Sequence, residues 1–150
     1  MKRAYAVKPV GTWPTSSAVD RVILAAVDRQ RRRIMLTAEN GTEFLLDLPG
    51  PTTLCHGDGL VLDDGTIVAV AGEAEALSEI IPAAPPDLIR VAWHLGNRHA
   101  DIQIVGECLR IRCDHVLEDM VRSFGATIKS VNAPFDPLTL GRVDGERGDG

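Results

Sequence analysis

Two short segments of the chain carry side chains that bind transition metals. They are residues 93–99, WHLGNRH, and residues 113–115, CDH. Imidazole and thiolate groups hold ions such as nickel, copper and zinc. Both segments fall at boundaries between predicted elements, where side chains are displayed rather than packed. His99, Cys113 and His115 are therefore the candidate metal ligands.

His99 follows the end of a predicted helix, and alone it would more often be a surface or capping residue. One histidine holds a transition metal poorly, since such sites usually need about four donors. Two-fold symmetry changes this, because a residue near the axis of a dimer is doubled. A pair of His99 side chains would form an open site that can also release its ion, which suits a carrier.

Cys113 and His115 flank Asp114 where a predicted strand becomes a helix. On an extended segment, positions i and i+2 face the same way, so both side chains could bind one ion. The alternative is that Asp114 caps the helix while Cys113 is buried. Elsewhere, His94 is predicted to be packed, and Cys55 and His56 to shape a glycine-rich turn.

Composition limits the class of protein. The chain has 150 residues and a formal net charge of −5, which argues against a dedicated nucleic-acid binder. No apolar run approaches the roughly 20 residues of a membrane helix, and no signal-peptide core is present. The protein is therefore predicted to be cytoplasmic, and the reducing compartment and the odd number of cysteines predict that it has no disulfides. No nucleophile is paired with an evident base, so an enzyme is not expected.

The pattern predicts an α+β protein with a small N-terminal all-β domain over residues 1–72. Short apolar segments separated by turns such as Asn40-Gly41 indicate six strands in a small barrel or sandwich. Residues 73–140 are predicted to form a second domain. Its helix begins at Asp87 and is capped near Gly96 and Asn97, and two strands, a second helix and a final strand follow. If residues 75–81, which fit helix or strand, form a strand, the order is that of a ferredoxin-like β-α-β-β-α-β domain. Residues 141–150 are predicted to be a disordered tail.

A basic run lies in the first half, at Arg29, Arg31, Arg32 and Arg33. It could be a solvated strand edge or a patch that docks a protein partner, while the acidic overall charge disfavours RNA. These arginines are the candidate partner-binding residues.

Several segments together resemble the UreE family of urease accessory proteins. They are HLGNRH at 94–99, DHVL at 114–117, FG at 124–125, PFDP at 134–137, DRQRRR at 28–33 and LDLP at 46–49. The resemblance implies an N-terminal domain likened to peptide-binding modules and a ferredoxin-like metal-binding domain that forms a homodimer. It also implies nickel bound at that interface by His99, with the urease GTPase, other urease accessory proteins and apo-urease as partners. Family members often carry histidines at the positions of both Cys113 and His115, and many end in a histidine-rich tail that this chain lacks.

We therefore expect a nickel metallochaperone that delivers nickel to apo-urease, with zinc or copper as other ions that could bind in vitro. The alternative is a peptide-binding, chaperone-like protein without stoichiometric metal, whose β half adds an extended partner segment to a strand edge.

Overall fold

The computed structural model describes residues 1–138, which form two compact units, Met1–Glu73 and Ala74–Leu138. The predicted tail at 141–150 lies outside the described residues. The N-terminal unit is all-β and the C-terminal unit is mixed β and α, as predicted. In the described part of the chain, no helix is long and apolar enough to cross a membrane.

The N-terminal unit is built on one six-stranded sheet. Its strands are β1 (Lys2–Lys8), β2 (Ala18–Leu24), β3 (Arg33–Thr37), β4 (Glu43–Asp47), β5 (Gly59–Leu62) and β6 (Ile67–Gly72), in the order β2-β6-β5-β1-β4-β3. The pairs β1–β4 and β2–β6 are parallel and the others are antiparallel. Residues that alternate along the strands fill one core, which includes Phe44, Leu46, Leu60, Leu62 and Val68. The apolar pattern does not identify β1, because its segment is flanked by charged residues and its buried position is the small residue Ala4.

The two outer strands of this sheet approach each other beside the β3–β4 turn. Glu39 donates its main-chain N–H to the carbonyl of Arg21 at 2.8 Å, and the two side chains form an ion pair at 2.7 Å. The buried carboxylate of Asp20 accepts the main-chain N–H groups of Arg21, Asn40 and Thr42, at 2.8, 2.9 and 3.2 Å. Asp20 therefore fastens one edge of the sheet to the hairpin at the other.

Trp13 covers a glycine at the start of β5. Its indole Nε1 donates to the carbonyl of Gly57 at 3.2 Å, and only 7% of the residue is exposed. A Cβ atom on Gly59 would stand 2.7 Å from the indole ring, so this position admits no side chain unless the tryptophan moves.

The C-terminal unit has four strands and two helices. They are β7 (Ala74–Ile81), α1 (Asp87–Asn97), β8 (Gln103–Val105), β9 (Cys108–Arg112), α2 (His115–Ser123) and β10 (Thr127–Pro134). The sheet order is β10-β7-β9-β8 and every neighbouring pair is antiparallel. The ambiguous segment is thus a strand, and it occupies the middle of the sheet. Its core joins Ile80, Leu109 and Ile111 of the sheet to Val91, Leu95 and Val121 of the helices.

Candidate metal site

His99 lies in the turn that ends α1, and its backbone is left-handed, with φ of 58°. Its N–H donates to the carbonyl of Gly96 at 3.0 Å, and the N–H of Ala100 donates to that of Leu95 at 3.1 Å. This pair of hydrogen bonds is the Schellman motif, in which the left-handed position is usually glycine. The helix therefore continues through Asn97, and the residue that reverses the chain is His99 rather than Gly96 or Asn97 as predicted.

The left-handed backbone of His99 has an energetic consequence. An L-residue with a Cβ atom is strained there by roughly 1–2 kcal/mol. The residue is exposed, and no hydrogen bond or ion pair within the described residues engages its ring. Strained residues concentrate at functional sites, so the position is a candidate for function rather than for packing.

Cys113 and His115 lie on either side of the residue that caps α2. Asp114 Oδ1 accepts the N–H groups of Val116 and Leu117 at 2.9 and 3.0 Å, so Asp114 is the N-cap. Its backbone is extended (φ −156°, ψ 114°), the conformation in which the residues before and after share one side. Cys113 and His115 are both exposed, so the alternative of a buried Cys113 does not hold.

A shallow pocket of about 170 Å³ lies beside Cys113 and the residues that follow His99. Ala100 and Asp101, which follow His99, line it together with Cys113 and Asp114. The remaining lining residues are Ile111, Arg112 and Leu117. The structure thus brings the chain that follows His99 to the same opening as Cys113.

Arg112 links these segments. Its Nη1 lies 3.0 Å from Asp101 Oδ2, its Nε lies 3.1 Å from Glu75 Oε1, and its guanidinium stands 4.7 Å from the ring centroid of the buried Phe135. Arg112 directly precedes Cys113, and Asp101 is separated from His99 by one residue. The arginine therefore connects the backbone that carries the two candidate ligands.

In the described part of one chain, the donor side chains are not gathered into a closed metal site. Among residues 1–138, no group of three or more His, Cys, Asp or Glu side chains is arranged to hold a metal ion. The donor types at His99, Cys113 and His115 fit nickel, copper or zinc. What a single chain presents is a set of exposed donors, and an ion bound there would need further ligands from water or another molecule.

The other histidines and the Cys55 turn have structural contacts. His94 stacks against Phe124, with ring centroids 4.5 Å apart, and meets Trp93 edge-on at 5.0 Å. His56 Nδ1 accepts the N–H of Gly72 at 3.0 Å. The buried Asp58 accepts the N–H of Cys55 at 2.8 Å.

The four predicted partner-binding arginines are not equivalent. Arg29 is only 2% exposed, and its Nη1 donates to the carbonyl of Leu54 at 3.4 Å, so its burial argues against direct contact with a partner. Arg31, Arg32 and Arg33 are exposed. Arg31 pairs with Asp28 and Arg33 with Asp47, each at 3.3 Å.

Sequence reasoning did not find Ser78, Glu118 or Arg112, which contact Cys113, Asp114 and Asp101 respectively. Glu118 follows the cap residue Asp114 by four positions, which is close to a capping-box spacing and is a usable signal. Ser78 and Arg112 become visible only once strand register is known.

Comparison with known proteins gives matches along both units. The profile of the UreE urease accessory protein N-terminal domain matches residues 3–72, and that of its C-terminal domain matches residues 75–150. A protein of Rhodopseudomonas palustris (strain BisB18), named "Urease accessory protein UreE", is 48% identical over 137 residues. Proteins with that name from Bradyrhizobium sp. (strain ORS 278) and Rhizobium rhizogenes (strain K84 / ATCC BAA-868) are 49% and 42% identical over the same length.

These alignments cover 91% of this chain in all three cases. They cover 64% of the Rhodopseudomonas protein, 65% of the Bradyrhizobium protein and 81% of the Rhizobium protein. The chain thus spans a little under two thirds of the length of the first two relatives.

Proposed function

Since the chain belongs to the UreE family of urease accessory proteins, we propose that it binds nickel and delivers the ion to apo-urease during urease maturation. The family consists of accessory proteins rather than enzymes. The observation that carries the proposal is the exposed His99, held in a strained left-handed turn at the end of α1. Such a residue displays its imidazole at the expense of stability.

We infer that nickel is shared between the subunits of a homodimer. Two His99 rings related by a two-fold axis would supply two donors to an ion that one chain holds poorly. The exposed apolar side chains of Ile89 and Trp93, 77% and 63% exposed, support a dimer through the C-terminal unit, because they lie four residues apart on one face of α1.

Cys113 and His115 are proposed as an auxiliary and weaker nickel site. Their exposure and the extended residue between them support this role. Two donors are too few for a closed site, so an ion there would exchange easily, with water or a partner completing the coordination.

A ferredoxin-like assignment is proposed for the C-terminal unit. The β-α-β-β-α-β order and the antiparallel sheet with its first and third strands in the middle support it. This arrangement brings the residues that follow His99 and the end of β9 to one pocket, which supports the proposal that His99 and Cys113 bind the same kind of ion.

Nickel titration by calorimetry, combined with the mass of the protein in solution, tests the metal proposal. The parent should bind nickel as a dimer, and His99→Ala should lose the tightest site while its fold and dimer persist. His94→Gln is the matched control, since it removes a packed imidazole five residues away. Unchanged nickel affinity in His99→Ala would refute the role of His99.

Partner docking is proposed for the exposed arginines Arg31 and Arg32, with the urease GTPase, other accessory proteins and apo-urease as partners in the cytoplasm. Charge reversal of both residues should weaken urease activation in a reconstituted assay and leave nickel titration unchanged. Because exposed charges steer association, the loss should be largest at low salt. Equal activation by the parent and the reversed variant would contradict the docking role.

A second candidate function, peptide binding by the N-terminal unit, is favoured by the edge position of β3. The N–H of Ala38 donates to the Thr42 carbonyl and the N–H of Leu48 donates to the Arg32 carbonyl, both at 2.8 Å. In this antiparallel hairpin, every second residue of β3, counted from Arg32 to Ala38, therefore forms hydrogen bonds with β4. The main-chain groups of Arg33, Met35 and Thr37 therefore point away from β4. No main-chain partner for them occurs within residues 1–138.

Met35→Pro separates this candidate from the metal carrier. Proline removes an N–H that points outward, so strand addition is blocked while pairing with β4 is retained. Binding of an extended peptide should be lost, with nickel binding intact. If the peptide-binding candidate describes the whole function, the parent will bind no stoichiometric nickel.

A further inference from the structure

Ser78 places a buried hydroxyl beneath the turn that carries Cys113. It lies on β7, on the same face as the core residue Ile80, and only 3% of it is exposed. Its Oγ is 2.9 Å from Glu118 Oε2 and 3.5 Å from Cys113 Sγ. A polar group on the core side of a central strand needs such partners, because an unsatisfied hydroxyl there would cost free energy.

Glu118 fastens the same turn from the other side. Its Oε2 accepts the main-chain N–H of Asp114 at 3.0 Å as well as the hydroxyl of Ser78, and its side chain is 13% exposed. Its Oε1 is 3.9 Å from Arg122 Nη2. Ser78 thus contacts the side chain of Cys113, and Glu118 holds the main chain of Asp114, the next residue.

Ser78 has one hydroxyl hydrogen, and this determines which group is the donor in each of its two hydrogen bonds. A hydroxyl has one hydrogen, and an ionised carboxylate can only accept, so Ser78 donates to Glu118. The thiol of Cys113 then donates its S–H to Ser78 Oγ. A cysteine that binds a metal ion gives up this proton to the solvent, and its thiolate can only accept.

We propose that Ser78 is a positioning residue for metal bound to Cys113, and that loading turns its hydroxyl from Glu118 to the thiolate sulfur. This inference rests on the proposed function, since it requires Cys113 to bind the cargo. Glu118 keeps the N–H of Asp114 when the hydroxyl turns, so the turn stays anchored. The hydrogen bond draws electron density from the sulfur and fixes the direction of its lone pairs, as outer hydrogen bonds do at other metal ligands.

The full chain saturated with nickel tests the inference through its thiolate-to-nickel charge-transfer absorption. A hydrogen bond stabilises the sulfur lone pairs, so Ser78→Ala should move the band to longer wavelength. Ser78→Thr keeps the hydroxyl and should leave the band at the parental wavelength. Ser130→Ala is the matched control, because Ser130 lies opposite Ser78 on β10 but is exposed.

The outcomes separate the inference from the function on which it rests. A shift in Ser78→Ala alone supports the role of Ser78. A parental band that is absent in Cys113→Ala and unmoved in Ser78→Ala overturns it and leaves Cys113 as a ligand. No band in the parent at saturating nickel overturns both the auxiliary site and the inference. Circular dichroism of each variant verifies that the comparison is between folded proteins.

Discussion

His99 at the end of α1 holds the same position as Gly125 at the end of α2. Gly125 has φ of 86°, its N–H donates to the Arg122 carbonyl at 2.9 Å, and the next N–H donates to that of Val121 at 3.2 Å. The two helices thus end in the same hydrogen-bonded turn. One uses the residue that the backbone favours, and the other places an imidazole there.

Replacing His99 by glycine should separate stability from metal binding. His99→Gly relieves the left-handed strain but loosens the unfolded chain, so we expect the free energy of unfolding of the metal-free protein to rise by up to about 1 kcal/mol. The tightest nickel site should be lost. Urea unfolding in the presence of a chelator and nickel calorimetry measure the two effects. His99→Ala is the control, since it removes the ring and keeps the strain. If His99→Gly unfolds with a lower free energy than His99→Ala, the left-handed backbone of His99 is not strained as argued.

Removing the side chains of Cys113 and His115 should leave the tightest nickel site, assigned to His99, unchanged. In Cys113→Ala/His115→Ala we expect a lower nickel capacity and no thiolate charge-transfer band, with the tightest binding constant unchanged. Because thiolate ligation displaces a proton, occupancy of this site in the parent should fall as pH drops. Nickel titrations followed by absorption at several pH values measure this. Loss of the tightest ion in the double variant would show that the two sites are one.

The Arg112–Asp101 pair should contribute little to stability by itself. The side chains are 46% and 61% exposed, and pairs of this kind are usually worth about 0.2–1 kcal/mol. A double-mutant cycle with Asp101→Asn and Arg112→Gln should give a coupling energy in that range. Arg112→Ala should be destabilising by about 1–2 kcal/mol, because it also loses the contact with Phe135. Equal effects of Asp101→Asn and Arg112→Ala on unfolding would contradict this division.

Acid should weaken the attachment that Asp20 makes in the N-terminal unit. Burial alone would raise its pKa, but hydrogen bonds from the Thr42 hydroxyl and from main-chain N–H groups outweigh this and lower the pKa from 3.8 to about 2. A folded-state pKa below the unfolded one means that the stabilisation is present at neutral pH and is lost as pH falls from about 4 to about 2.

Asp20→Asn should therefore be destabilising by about 2 kcal/mol at neutral pH, because the amide nitrogen cannot accept main-chain N–H groups. The gap between parent and variant should narrow as the pH falls below about 4, which urea unfolding at a series of pH values measures. Asp63→Asn, at an exposed carboxylate, is the control. If the difference in free energy of unfolding between the parent and Asp20→Asn stays constant down to pH 2, the pKa of Asp20 does not differ between the folded and unfolded states.

Sequence patterns predicted the parts of this protein that depend on local chemistry. The segments from HLGNRH to PFDP identified the family, which both domain matches confirm, and alternating apolar residues located β3, β4 and β6 within a few positions. The strand at β7 was ambiguous because its nature depends on two neighbours in the sheet, β10 and β9.

The remainder depends on contacts between distant residues. Gly96 and Asn97 both suit a helix end, so nothing local shows that His99 takes the left-handed position. The run of arginines does not reveal that Arg29 is buried while Arg31 and Arg32 are not, because Arg29 donates to the carbonyl of Leu54, which is 25 residues away in the sequence. Ser78 reaches Cys113 only through the pairing of β7 with β9.

The sequence has two tryptophans, and each unit contains one of them. Trp13 is packed over Gly59, whereas Trp93 is exposed in a single chain, so dissociated chains should show a short-wavelength and a long-wavelength component of indole emission, and formation of the proposed dimer should move the second to shorter wavelength. Unfolding of the N-terminal unit shifts the first component to the red, while quenching by an ion held near the end of α1 dims the second. A single fluorescence spectrum can thus follow the integrity of one unit and the loading of the other, without any attached label.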